Sequence, residues 1–234
     1  MDLYTIHNHQ DLMDKYVHMI QEKPEVESLI KMINTNQEIL IVLIELIKQD
    51  KGSIKFYAEK IIRKMSEVEP IKVYPYFQEM IQFIDSPNHF IQWGTIQTIA
   101  NLVTVDTNKY FDSFYDKYFD LINSSTMVTT ANVLEHAWKI VLARPEFEND
   151  ITKRLINIQN NTYYMHDEPS PECKNILIGH AIDCFDRYFD ISKSKTMILK
   201  FVEDSMRNDR KSTAIKASKF IKKYDHINRK HVER

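Results

Sequence analysis

The chain has 234 residues, 43% of them hydrophobic and 27% charged, with a formal net charge of −2. That length can bury one large core or two small ones, and the near-neutral balance argues against a protein whose whole surface clamps nucleic acid. Three glycines (Gly52, Gly94 and Gly179) cannot build a G-x-G-x-x-G turn or a phosphate-cradling loop, and with seven prolines they leave little turn material for β-hairpins.

Met1 is followed by Asp2 and a polar, His-rich start, so no signal peptide is expected. Apolar spacing then predicts helices over Leu12–Gln21, Glu25–Ile33 and Gln37–Gln49. The most apolar run, Ile39 to Ile47, is broken by Glu45 and is shorter than the ~20 residues a membrane span needs. Ile54, Ala58, Ile61, Ile62 and Met65 make the next stripe, with Lys55, Glu59, Lys60 and Arg63 opposite. Tyr74–Ile84 follows through Phe77, Met80 and Ile81. Asp85-Ser86-Pro87-Asn88 then stops that helix and offers a cap for the one over Asn88–Val103. Further helices are expected at Lys109–Ile122, Val128–Leu142, Glu148–Ile158, Lys174–Phe189, Thr196–Met206 and Lys211–Tyr224. The polar stretch 160–172, with Pro169 and Pro171, reads as a loop insertion, and 225–234 as a flexible basic tail. No convincing strand is found. The class is all-α, and a single domain over 1–234 is expected.

Helix–turn–helix pairs prompt a search for repeats. Gln37–Gln49 with Ile54–Met65, and Val73–Ile84 with Asn88–Val103, each read as such a pair. In the second helices Ala58, Thr95 and Asn132 fall 37 residues apart, and Ala181, Ala214 and Ala217 mark weaker copies. Slim residues there let a second helix lie close to its neighbour.

The turn and second helix of HEAT repeats follow Leu-x-Asp-x-x-x-x-Val-Arg-x-x-Ala-x-x-Ala-Leu. Ile84-Asp85 with Ile91-Gln92 and Thr95, and Asp50 with Ile54-Lys55 and Ala58, resemble degenerate versions of it. Lys55 and Gln92 stand where that family favours Arg, so the register is kept while the chemistry departs. The resemblance is clearest from Gln37 to Leu142 and extends to Tyr224. It implies a right-handed α-α superhelix, a HEAT-like solenoid of about five to six helical pairs, whose second helices line a concave face. Such arrays mostly bind proteins. The resemblance therefore implies a scaffold or interaction module that presents Lys55, Arg63, Gln92, Asn132, His136, Lys139, Asp183 and Arg187 to another protein.

Few residues point to chemistry. Cys173, His180 and Cys184 share one helix face at i, i+7 and i+11, but no C-x-x-C pair accompanies them, and Cys184 lies on an apolar stripe with Leu177 and Ala181. Buried structural thiols explain them better than zinc does, so no metal and no cofactor is expected. Two cysteines make no disulfide framework and fit a cytoplasmic protein. The His7-Asn8-His9 cluster with His18 lies near a terminus. Glu135-His136 and His166-Asp167-Glu168 offer carboxylate–imidazole neighbours, yet adjacent helical residues face different ways. No catalytic residue is assigned, and an enzyme is disfavoured. The alternative comes from HEAT-like DNA glycosylases, which use aromatic residues with an Asp and an Arg. Trp93, Trp138, Asp183 and Arg187 form a loose constellation of that kind, and nucleic acid therefore stands second as a partner.

Charge is uneven. From Lys193 to Arg234 there are thirteen basic and five acidic residues, net +8, which leaves −10 for the remainder. Lys211, Lys216, Lys219, Lys222 and Lys223 flank an apolar stripe of Ala214, Ala217, Phe220 and Ile221. This basic patch either meets an anionic partner or gives the last helix of an array its polar outer side. No membrane partner is expected.

Overall fold

Most of the period-3.6 apolar stripes form helices, two of them are broken by 3-10 turns, and the turns between helices carry their own repeated chemistry. The computed structural model describes the backbone over residues 3–49 and 51–232, and side chains over 11–49 and 51–224. Asp50 and the side chains of His7, His9, Arg229, Lys230 and Arg234 lie outside the described residues. The fold is all-α, and the chain divides into two compact units, Met1–Tyr110 and Phe111–Arg234.

The first unit contains α1 (Leu3–Gln21), α2 (Val26–Thr35), α3 (Glu38–Lys48), α4 (Ile54–Val68), α5 (Pro70–Val73), α6 (Phe77–Gln82) and α7 (His89–Leu102). The stripe of α4 is buried as expected, with Ala58, Ile61 and Met65 at 0% exposure. It packs between α3 and α7, and Asn101 Nδ2 of α7 donates to Ser66 Oγ of α4 at 3.0 Å. The helix expected over Tyr74–Ile84 is split instead. A 3-10 turn occupies Tyr74–Tyr76 because Pro75 has no N–H to give and its ring crowds the carbonyl four residues back.

The second unit contains α8 (Tyr115–Asp120), α9 (Met127–Ala143), α10 (Glu148–Asn157), α11 (Pro171–Tyr188), α12 (Lys195–Ser205) and α13 (Lys211–Val232). α9 packs on α11, and α11 packs on α13. The single helix expected over Lys109–Ile122 is likewise broken, into 3-10 turns at Tyr110–Ser113 and Leu121–Asn123 around α8. Six aromatic residues crowd this stretch, and five of them, Phe111, Phe114, Tyr115, Tyr118 and Phe119, are buried. Bulky rings lose rotamer freedom in a helix, so packing sets the backbone here. α13 runs to Val232, across much of the stretch expected to be a flexible tail.

The segment 160–172, expected to be a loop insertion, carries a short hairpin. Tyr164–Met165 (β1) and Glu168–Pro169 (β2) pair antiparallel around His166 and Asp167, which lie at φ 52° and 65°. Positive φ at both central residues is the tight hairpin geometry, and His and Asp are among the few non-glycine residues that enter it. Tyr163 anchors the hairpin: it is 1% exposed and donates to the Ile122 carbonyl at 3.2 Å. Ser170 then caps α11, its hydroxyl accepting from Cys173 N at 3.3 Å.

The helix-to-helix turns repeat. After the 3-10 turns at Phe83–Asp85, Leu121–Asn123 and Phe189–Ile191 comes a serine whose hydroxyl accepts from the N–H two residues on. The three bonds are Asn88 N to Ser86 (3.2 Å), Thr126 N to Ser124 (3.1 Å) and Ser194 N to Ser192 (2.9 Å). Such a turn stops one helix and places the cap of the next. Two of the turns are locked further by a side chain eight residues on. Gln92 Nε2 donates to the Ile84 carbonyl at 3.0 Å, and Thr130 Oγ1 to the Ile122 carbonyl at 3.1 Å.

Two polar groups are sunk into the second unit. Arg144, 8% exposed, pairs with Asp112 (2.6 Å) and Glu146 (2.7 Å) and stacks on Phe147 at 4.9 Å. The bond from Arg144 holds the Glu146 carboxyl below its ordinary range. Glu148, 5% exposed, accepts on Oε1 from Ser192 (2.6 Å) and Thr152 (3.1 Å), and on Oε2 from Ser194 (3.2 Å). It thereby ties the start of α10 to the start of α12.

Candidate functional site

The sequence directs attention to the faces of α4, α7, α9 and α11. In the first unit, the α4 face is partly committed to structure. Arg63 Nε donates to Glu59 Oε1 at 2.8 Å, and burial pushes the Glu59 carboxyl up while Arg63 opposes the shift. Glu59 occupies the space a side chain at Gly94 would need. A Cβ on Gly94 would come 1.7 Å from Glu59 Oε1 and 2.8 Å from its Cγ, so this glycine marks a close approach of α7 to α4. Gly94→Ala should therefore destabilise the protein. In a Glu59→Ala background the same change should stabilise it by about 0.5–1 kcal/mol, because only the helix-propensity gain is left. Urea denaturation of the four proteins in that cycle measures the reversal.

Gln92 is bound to the preceding turn, as above, and is half-buried. Lys55 lies with its ammonium 5.2 Å from the Phe56 ring centre. Beside Phe56 the structure gathers rings of which the sequence reading had named only Trp93. Phe56 meets Phe90 edge-to-face at 5.9 Å, Phe90 meets Trp93 at 5.3 Å, and His89 stacks on Trp93 at 5.7 Å. Phe90 is 67% exposed and Phe56 is 37% exposed. The usable signal was the interval: Phe56 and Trp93 are 37 residues apart, the spacing of Ala58 and Thr95.

In the second unit, Asn132 is buried and donates from Nδ2 to the Val128 carbonyl at 2.8 Å, and His136 Nδ1 donates to the Asn132 carbonyl at 2.9 Å. Across to α11, His180 Nδ1 lies 3.0 Å from Glu135 Oε1. That bond holds the Glu135 carboxyl below its ordinary range. A depressed carboxyl contributes stability above its unfolded pKa and loses it as pH falls through the folded value. The contribution of the Glu135 carboxylate should accordingly be lost as pH falls below about 4.5. A carboxyl NMR titration should place the Glu135 midpoint below that of an ordinary glutamate, and His180→Ala should move it back up.

Trp138 is half-buried and takes Arg187 at 5.5 Å and Lys139 at 5.7 Å from its ring centre. Asp183 does not join them, because it pairs with Lys216 of α13. Within the second unit Trp138 and Arg187 meet while Asp183 has another partner; Trp93 lies in the first unit.

The basic patch is partly neutralised from within. Lys216 pairs with Asp183 and Lys223 with Asp186 at 2.8 Å, both across α11 and α13, and Arg210, just before α13, pairs with Glu172 of α11 at 2.7 Å. Lys211, Lys219 and Lys222 stay exposed. A crevice of about 180 Å³ over Ile182 and Phe220 lies between the Lys216–Asp183 and Lys223–Asp186 pairs. Gly179 lets the helices close here, since a Cβ would stand 3.1 Å from Thr213 Oγ1.

Both cysteines are buried, and burial pushes the Cys184 thiol up to about 12, far from metal-ligand or nucleophile behaviour. Among the described residues no group of three or more His, Cys, Asp or Glu could hold a metal ion, and no helix is long and apolar enough to cross a membrane. Compared with known protein families, curated proteins and solved structures, the chain matches none.

Proposed function

We propose that this chain is a protein-interaction or scaffold module of the HEAT-like kind, in which stacked helical pairs present their second helices to a partner protein in the cytoplasm. The observation that carries this reading is the sequence interval bridged by hydrogen bonds between helices. Lys72–Asn34, Asn101–Ser66, Tyr74–Asp106, Tyr115–Asp150, Thr152–Tyr188, Arg210–Glu172 and Lys223–Asp186 join residues 32–38 apart. A stack in which each pair touches the next produces such an interval, because every helix meets its counterpart one repeat away. In support, Ala58, Thr95 and Asn132 are all buried, as a shared register requires.

The test is cross-linking capture of partners from native cells with the full chain. Charge reversal on second helices, Lys139→Glu with Arg187→Glu, should remove captured proteins, while Lys153→Glu on α10 should leave them. Loss through Lys153→Glu alone would count against the reading. Trp138 between Arg187 and Lys139 favours a second reading, a HEAT-like DNA glycosylase or other nucleic-acid-binding protein. For that, affinity for DNA must fall steeply with added salt and depend on Trp138.

A further inference from the structure

Positive charge in the second unit gathers on its last helix. α13 packs on α11 and α12. With their turns, these three helices over residues 171–224 hold twelve Lys and Arg against seven Asp and Glu, net +5. That balance includes every carboxylate of the two helices beneath α13. Residues 225–234, Asp225 among them, add three basic and two acidic residues and keep the sign. Residues 1–170 carry the opposite balance, net −8.

Within α13 the charge is ordered. Thr213, Ala217, Phe220 and Tyr224 are buried on one side. The other side turns Lys211, Ile215, Ser218, Lys219 and Lys222 to solvent, at i, i+4, i+7, i+8 and i+11. Lys216 and Lys223, along the α11 flank, are taken up by Asp183 and Asp186. Lys211, Lys219 and Lys222 make no ion pair among the described residues. Three uncompensated ammonium groups thus share one face over about 16 Å of helix.

A stripe of charge one helix wide complements a rod of opposite charge. Each strand of a duplex carries a phosphate about every 3.4 Å of axis, so about 16 Å of stripe faces about five of them. A lipid plane would meet the Asp183 and Asp186 carboxylates together with the lysines. It would also find only Ile215 to take in, because the apolar stripe of α13 is buried inside the unit. Single strands are held by stacking their bases on exposed rings, and the exposed residues from Lys211 to Lys222 include no ring. They include no arginine or side-chain amide either, the groups that read base edges in a groove.

We propose that the Lys211–Lys219–Lys222 face of α13 binds the phosphate backbone of a nucleic-acid duplex without regard to sequence. The proposal goes beyond the interaction-module reading and needs neither Trp138 nor Arg187.

Fluorescence anisotropy of the full chain with a mixed-sequence duplex of about 20 base pairs tests it. Combining Lys211→Gln, Lys219→Gln and Lys222→Gln should weaken binding by about tenfold or more at low salt. It should also flatten the slope of log K against log salt by about 2–3. Combining Lys31→Gln, Lys60→Gln and Lys153→Gln removes the same charge elsewhere and should change affinity by less than about twofold. All six lysines are exposed, so both variants should melt with the parent. Duplexes of unrelated sequence should bind alike, and Trp138→Phe should leave the affinity as it is. No binding at low salt, affinity indifferent to salt, or equal loss in the two triple variants would each overturn the inference. So would a preference for one sequence, or for oligouridine over the duplex. Tighter binding to phosphatidylserine vesicles or to polyglutamate would also overturn it, assigning the face to a membrane or to an acidic protein segment. The module reading is decided separately by the native-cell capture, which can succeed through α9 and α11 while this face fails.

Discussion

Replacing Glu148 with leucine is expected to lower the melting temperature of the second unit by about 6–12 °C, corresponding to about 3 kcal/mol. The carboxylate is buried and its acceptor capacity is used by Ser192, Thr152 and Ser194. Leucine fills similar space and accepts nothing, so three hydroxyls in a water-poor site lose their partner together. The loss propagates, because Thr152 also shares a 2.8 Å bond with Tyr188, and Ser194 accepts from Asn149 at 3.1 Å. Glu148→Gln should cost about half as much, since one carbonyl acceptor survives. A leucine variant that melts with the parent would show that the hydroxyls re-pair elsewhere and that the network contributes little.

Phe189→Ala should be at least as damaging, at about 3–5 kcal/mol. Phe189 is fully buried and holds α13 through two rings, Phe220 at 5.0 Å and Tyr224 at 4.3 Å, which also touch each other. Removing it opens a cavity at the joint between the end of α11 and α13. Exposed ion pairs such as Lys223–Asp186 are each worth about 0–1 kcal/mol and cannot compensate. Hydrogen exchange reads the result by position: amides over 211–224 should lose protection well before those of α9. Equal loss in both helices would mean that the unit has no weaker edge at α13.

Where these two predictions come from shows what a sequence discloses and what it withholds. The helix of Ile54–Val68 was legible within three residues, because its stripe and its turn signals agree. The stretch around Tyr118 was not, because a run of rings satisfies helical spacing while packing breaks the backbone into turns. In the sequence Glu148 is only the first residue of the helix expected over Glu148–Ile158; its burial involves Ser192 and Ser194, which lie more than forty residues on. Asp183 and the lysines of α13 were read as separate features for the same reason, since their pairing needs the register of two helices. The aromatic group was nearer the surface of the text. Trp93 was singled out with Trp138, Asp183 and Arg187, while its interval of 37 residues to Phe56 went unread.

The Ser86, Ser124 and Ser192 turns and the bonds that span 32–38 residues have a consequence for how the protein is made. Each of these bonds joins a residue to chain synthesised only 32–38 residues earlier. At about 5–20 residues per second, 37 residues take about 2–7 s to emerge. Loops of that size close far faster than the ribosome advances. The amino-terminal pairs can thus be bonded before the chain that forms α13 exists, and folding has no need to wait for the last residue.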